Sequence, residues 1–218
     1  MMIAQPSKIV GVGQNYVAHA RELGNPVPTE PVLFQKASSS WAGPFDSLEL
    51  PPGAEKLDYE VELGVVIGQR AKRVNESEAM GFVQGYLVLC DYSERSWQKE
   101  RGGQFNKGKS HDGFCPAGPE IVPVDDITDP QNLKIWSKVN GVIRQDSSTS
   151  DMVFNVCELV SYISQFMTLL PGDVIATGTP GGVGAGMKPP QFLKVGDVVE
   201  LGVERIGEIR QEIIETAL

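Results

Sequence analysis

What most constrains this chain is the way its apolar residues are cut into short β-branched runs, each bounded by Gly, Pro, Asn or Asp. KIVGVG (8–13), PVLFQKA (31–37), LDYEVELGVVIG (57–68), GYLVLCDYS (85–93), EIVPV (120–124) and LKIWSKV (133–139) are all of this kind. Such runs predict strands, and the 24 glycines and 15 prolines supply turns between them. Asn140-Gly141, between LKIWSKV and VIRQD, is a pair that tolerates the positive φ angles of a tight hairpin. PGDV (171–174) and VGDV (195–198) each launch a further strand, DVIATG and DVVELGV, and the second is expected to pair back through GEIRQEI. The expectation is a mixed, β-rich α/β fold with much antiparallel pairing.

Helices are few. From Asn155, an N-cap with Glu158 three residues on, apolar residues fall at Val156, Leu159, Val160, Ile163, Phe166, Met167 and Leu170 before Pro171-Gly172. That spacing predicts one core-facing stripe. Shorter helices are expected around Tyr16 to Leu23 and Asn75 to Gly81, with Gly24 to Pro31 a surface loop. No linker or repeat divides the chain, so residues 1–218 are expected to form one domain.

Charge narrows the partners. Lysine and arginine number 19 against 28 aspartates and glutamates, a formal charge of −9 that disfavours nucleic acid and anionic membranes. Cys90, Cys115 and Cys157 are odd in number and far apart, which fits reduced thiols better than a disulfide framework or a zinc knuckle. MMIAQPSKIV shows no basic segment followed by an apolar one, so a soluble, cytoplasmic protein is expected.

In LDYEVELGVVIG, Glu60 and Glu62 alternate with Val61 and Leu63, which sends both carboxylates to one face of a strand. Asp91 closes the apolar run GYLVLC. Three oxygen ligands with no clustered His or Cys suit a hard ion, Mg²⁺ or Mn²⁺, rather than zinc. The same alternation also describes the solvated face of an antiparallel strand, with Asp91 as a turn former. His19 and Glu22 stand three apart on a short helix, a spacing that lets the carboxylate orient the imidazole for general-base work or simply form a surface pair. Lys109, in FNKGKSHDGFCPAGP, can offer an ammonium to developing negative charge, and GTPGGVG (178–184) can offer backbone N–H groups and the Thr179 hydroxyl to a carboxylate.

GQFNKGKS (103–110) matches the phosphate-loop pattern GxxxxGK[ST]. That motif works only between a strand and a helix. SERSWQKERG before it is charged and helix-like, and HDGFCPAGP after it would break a helix at once, so nucleotide binding is rejected.

Taken together, GQNYVAHARE, PVLFQKASSS, LDYEVELGVVIG, CDYSERSWQ, GKSHDGFCPAGP, VNGVIRQDSSTSDMVF and IATGTPGGVG resemble, in this order, the fumarylacetoacetate hydrolase family. The likeness is greatest to its short single-domain acylpyruvases and oxaloacetate decarboxylases or tautomerases. The resemblance implies a β-roll like the C-terminal domain of that family, with flanking helices, and a homodimer. It makes Glu60, Glu62 and Asp91 metal ligands and His19 with Glu22 a water-activating dyad. Lys109 and Thr179 become substrate contacts, with Arg95 and Gln98 supporting. It implies a small 2-oxo acid substrate, cleaved at a C–C bond, decarboxylated, tautomerised or isomerised. This chain departs from the family pattern at Ala37, where proline is frequent after the lysine, at His111 and at Phe105. Those departures leave the acidic triad intact and bear on the substrate pocket.

Overall fold

The computed structural model describes residues 4–216, so the first three and last two residues of the expected domain lie outside the described residues. The first three include the start of the segment read as lacking a targeting signal.

The short runs form strands because each is stopped by a residue that turns the chain. Asn140 and Gly141 both take positive φ, 52° and 76°, and join Lys134–Val139 to Val142–Ser148 as a tight hairpin. Gly172 and Gly196, also at positive φ, precede Val174–Ala176 and Val198–Val203, and the latter pairs antiparallel with Gly207–Glu215 as expected.

Two large sheets result. A seven-stranded sheet runs in the order Val32–Lys36, Ile9–Gly13, Val174–Ala176, Val61–Ile67, Val83–Cys90, Cys115–Pro123, Trp41–Ala42. A five-stranded sheet runs Val142–Ser148, Lys134–Val139, Val198–Val203, Gly207–Glu215, Leu48–Leu50. Pairing is mostly antiparallel, with parallel contacts between Ile9–Gly13 and Val174–Ala176, Gly207–Glu215 and Leu48–Leu50, and Trp41–Ala42 and Cys115–Pro123. The fold is mixed α/β and rich in strand.

At the centre of the larger sheet both faces are buried. Val61, Leu63, Val65 and Ile67 enter the main core with Leu159, Val160, Ile163 and Leu201, while Val66 joins Ile9, Leu87, Leu89 and Val174 in a smaller cluster. Strand alternation sends Glu62 to the side of Val66, and Asp91 to the side of Leu87 and Leu89. Two carboxylates therefore stand at the end of a small apolar face.

Three expectations need correction. LDYEVELGVVIG is not one strand: Leu57–Asp58 pairs with Ser93–Glu94, the chain breaks at Tyr59 and Glu60, and Val61–Ile67 belongs to the large sheet. The long helix has the expected capping box at Asn155 and Glu158 but ends at Phe166. Met167 is extended, and Leu169 exchanges backbone hydrogen bonds with Ala71, so Phe166 and Leu170 are exposed rather than part of a core stripe. The segment 75–81 forms a 3₁₀-helix, Glu76–Phe82.

Candidate active site

The antiparallel pair Val61–Ile67 and Val83–Cys90 builds the acidic centre. Val61 lies opposite Cys90, and one step further the Asp91 N–H donates to the Glu60 carbonyl at 2.9 Å. Glu60 thus faces Asp91 across the strands and Glu62 lies one diagonal away, the spacing at which cross-strand side chains meet. One carboxylate oxygen from each of Glu60, Glu62 and Asp91 falls within 4.8 Å of the others, and all three residues are buried.

Buried cations surround them. The Lys109 ammonium is 2.8 Å from Glu60 Oε2 and 2.5 Å from Asp91 Oδ2, and the Lys36 ammonium is 2.6 Å from Asp91 Oδ1. Arg95 Nη2 is 2.7 Å from Glu60 Oε1, and Arg95 Nε donates to Asp58 Oδ2 at 2.9 Å. Lys109 sits at the end of a short helix, Asn106–Lys109, and is buried, not solvent-exposed as an isolated lysine would be. Its helix lies inside the GQFNKGKS match, with no strand leading into it, which removes the phosphate-loop geometry.

The centre has more acidic than basic groups: with all four ionised, Asp58, Glu60, Glu62 and Asp91 would carry four negative charges against three positive ones on Lys36, Arg95 and Lys109. Burial by itself would raise the Glu60 carboxyl, but Lys109 and Arg95 outweigh it and hold Glu60 well below the usual range. Glu62 behaves oppositely: burial, and then the Asp91 and Glu60 carboxylates, push it well above the usual value. A buried, all-oxygen donor set with one destabilised carboxylate fits a hard divalent cation, which would supply the missing positive charge.

His19 and Glu22 lie on Val17–Glu22, with His19 Nδ1 2.8 Å from Glu22 Oε1. The imidazole is buried, so the pair is not a surface contact. Asn15 fastens this helix to the large sheet: its side-chain amide donates to the Thr177 and Phe154 carbonyls and accepts from the Phe154 N–H.

The Gly-rich segment 178–184 is not a flexible turn. Gly178 N–H donates to Glu62 Oε2 at 2.7 Å, Gly182 N–H to Glu22 Oε2 at 2.8 Å, and Gly184 N–H to Asp58 Oδ1 at 2.7 Å. Amides expected to hold a substrate carboxylate instead hold the site's own carboxylates. Thr179 accepts from Gln145 Nε2 at 2.7 Å, which orients its hydroxyl.

One cavity collects these groups. Glu60, Glu62, Arg95, Gln98, Lys109 and Thr179 line it together with Phe34, Phe105 and Lys99. Asp91 lies behind Lys109, and neither His19 nor Glu22 is part of the lining. Sequence reasoning missed Asp58, Lys36, Asn15 and Gln145. Asp58 was legible, because it continues the period-two series of acids Asp58, Glu60, Glu62. Lys36 carried a weaker signal as a charged residue closing an apolar run; Asn15 and Gln145 carried none.

No helix among the described residues is long and apolar enough to cross a membrane. A family model described as fumarylacetoacetate (FAA) hydrolase C-terminal matches residues 8–214. A Burkholderia cenocepacia (strain HI2424) protein designated provisionally as a hydrolase is 53% identical over 207 residues, covering 94% of this chain and 73% of the relative. The fumarylacetoacetate hydrolase of Exiguobacterium antarcticum is 42% identical with a TM-score of 0.90, over 97% of this chain and 76% of that one. The 5-carboxymethyl-2-hydroxymuconate delta-isomerase of Mycobacterium smegmatis is 39% identical with a TM-score of 0.87, over 98% and 81%.

Proposed function

Because this chain belongs to the fumarylacetoacetate hydrolase family, whose members are enzymes and generally depend on a divalent metal, we propose that it hydrolyses a C–C bond in a small 2,4-dioxo acid of the acylpyruvate type. The observation that supports this reading is a buried three-carboxylate centre beside a His19–Glu22 couple, the two tied to one loop through Gly178 N–H on Glu62 and Gly182 N–H on Glu22.

Glu60, Glu62 and Asp91 would hold Mg²⁺ or Mn²⁺. When bound, such an ion supplies Lewis-acid polarisation of the 2-oxo group. With Glu62 ionised as a ligand, the two charges of the ion would take the seven buried groups from −1 to +1, which favours an anionic substrate.

The remaining work falls to the chain's own side chains. A proton on His19 Nδ1, donated to Glu22, leaves Nε2 as the basic nitrogen. Nε2 removes a proton from water, and the water oxygen bonds to C4 of the dioxo acid. The C3–C4 bond then breaks and C3 keeps the electron pair. Proton return to C3 gives pyruvate, and the acyl fragment leaves as a carboxylic acid. Lys109 and Arg95 place fixed positive charge beside the negative charge that develops, with no reorganisation needed during the reaction. The fixed Gly182 amide keeps Glu22, and through it His19, in place.

A second reading, isomerisation of a 2-oxo or 2-hydroxy dienoate, is supported by the likeness to the M. smegmatis isomerase. It needs His19 only to move a proton between carbons. Oxaloacetate decarboxylation or keto–enol exchange would use the same centre without water attack. A panel of acylpyruvates, oxaloacetate and a dienoate, assayed with Mg²⁺ and with Mn²⁺, separates them. Pyruvate release from an acylpyruvate is expected to exceed turnover of the other substrates. Inert acylpyruvates beside active oxaloacetate or dienoate would overturn the hydrolase assignment. The reading also carries a homodimer, which sedimentation equilibrium checks.

A further inference from the structure

A second cavity, of about 280 Å³, lies beneath the Asn140-Gly141 hairpin and is lined by Tyr59, Asn140, Arg144, Gln191, Lys194 and Asp197 among others. It shares no lining residue with the cavity at the acidic centre.

Arg144 reaches it through an irregularity in the sheet. In the hairpin, Ser137 pairs with Gln145 and Lys138 pairs with Ile143, so Arg144 is the extra residue of a β-bulge. Bulges re-aim a side chain that regular alternation would place elsewhere. Gln145, the next residue, turns inward and holds Thr179, while Arg144 turns to this cavity.

The guanidinium there is poorly satisfied. Its Nε is buried and has no hydrogen-bond partner, and Nη1 finds only the Met187 sulfur at 3.6 Å. Thioether sulfur is a weak acceptor, and a buried cationic donor left without an acceptor is costly. Neither Arg144 nor Lys194 forms an ion pair among the described residues. The one acid in the lining does not serve them: Asp197 accepts from Asn140 Nδ2 and from the Lys194 backbone N–H, both at 2.9 Å.

We propose that this cavity is a second ligand site, which binds a small oxyanion, a carboxylate or a phosphate, through the Arg144 guanidinium with Lys194 at the rim. The planar fork of arginine matches both oxyanions, and the volume admits a ligand of a few heavy atoms. The site stands one residue from the dyad's support. The Arg144 carbonyl packs against Gly182 so closely that a Cβ there would come within 2.1 Å of it, and the Tyr59 hydroxyl donates to the Gly182 carbonyl at 3.0 Å.

Isothermal titration calorimetry on the Mg²⁺-loaded chain tests this, with inorganic phosphate in one arm and succinate in the other. One saturable site per chain is expected in at least one arm, and the arm that saturates identifies the oxyanion. Binding should weaken at least tenfold in Arg144→Gln and severalfold in Lys194→Gln, and persist in Glu62→Gln. Arg144→Lys, which keeps the charge and loses the fork, should weaken binding at least threefold, and with Lys194→Gln it decides the matter if Arg144→Gln does not fold. Absence of saturation in both arms, unchanged binding in the Arg144 and Lys194 variants, or loss of binding in Glu62→Gln would overturn the proposal.

Discussion

Lys109 donates its ammonium to Glu60 at 2.8 Å, so a cation from a helix of only four residues compensates a carboxylate immediately before a central strand. The same ammonium also reaches Asp91. Removing it would leave two buried carboxylates short of a partner. Lys109→Met is expected to lower the stability of the metal-free protein by about 3–5 kcal/mol. Added Mn²⁺ should recover much of that loss by replacing the missing charge. Urea unfolding with and without Mn²⁺ is the measurement.

His19 and Glu22 should affect turnover far more than metal affinity. His19→Ala is expected to lower kcat by roughly 10²- to 10⁴-fold, the usual contribution of general-base catalysis. Its Mn²⁺ affinity, read by calorimetry, should stay within a few fold of the parent. Glu22→Gln should cost less than His19→Ala, because glutamine keeps an oxygen that can accept from Nδ1.

On the proposed reading, protons and metal should compete at Glu62. Burial and the Asp91 and Glu60 carboxylates raise its folded value, so its neutral form favours the metal-free fold. That stabilisation is full below the ordinary glutamate value and is lost as pH rises through the raised one. Glu60 has the opposite sign: its lowered value gives stability above the ordinary glutamate range, which is lost only in strong acid. Divalent-metal affinity should therefore rise with pH above the ordinary glutamate value, with a proton released on binding. Calorimetry in two buffers of different ionisation enthalpy counts that proton.

Gly182 joins the two halves of the site. Its φ is +107°, and a Cβ would meet the Arg144 carbonyl oxygen at 2.1 Å. Gly182→Ala should cost more than about 1 kcal/mol of stability and lower kcat, since the N–H that holds Glu22 must shift. As a control, Asn155→Ala removes a helix cap outside the lining of the cavity at the acidic centre. It should cost about 1 kcal/mol with kcat unchanged.

Local chemistry made much of the fold legible. Asn140-Gly141 specified its turn, the Gly-Asp turns launched their strands, and Asn155 with Glu158 set a helix start, because each effect acts within a few residues. The break at Tyr59 and Glu60 was not legible, since Leu57–Asp58 leaves the large sheet to pair with Ser93–Glu94, a partner far along the chain. The end of the long helix was misjudged for a similar reason: pairing of Leu169 with Ala71 decides it, not the apolar spacing.

At the site, the residues that announce themselves are those bearing charge at regular spacing. Glu60 and Glu62 stood out, and Asp58 could have been read with them. Lys36 becomes meaningful only when its strand brings it to Asp91. The Gly-rich segment shows how a motif can be located from sequence while its ligands are mistaken: its amides serve Glu62, Glu22 and Asp58, which only the fold brings within reach.

The most direct test is anomalous diffraction from a crystal soaked with Mn²⁺. One strong peak per chain, bonded to carboxylate oxygens of Glu60, Glu62 and Asp91 and absent in Glu62→Gln, is predicted. A well-ordered crystal with no peak among those three side chains, or a peak that persists unchanged in Glu62→Gln, would contradict the account.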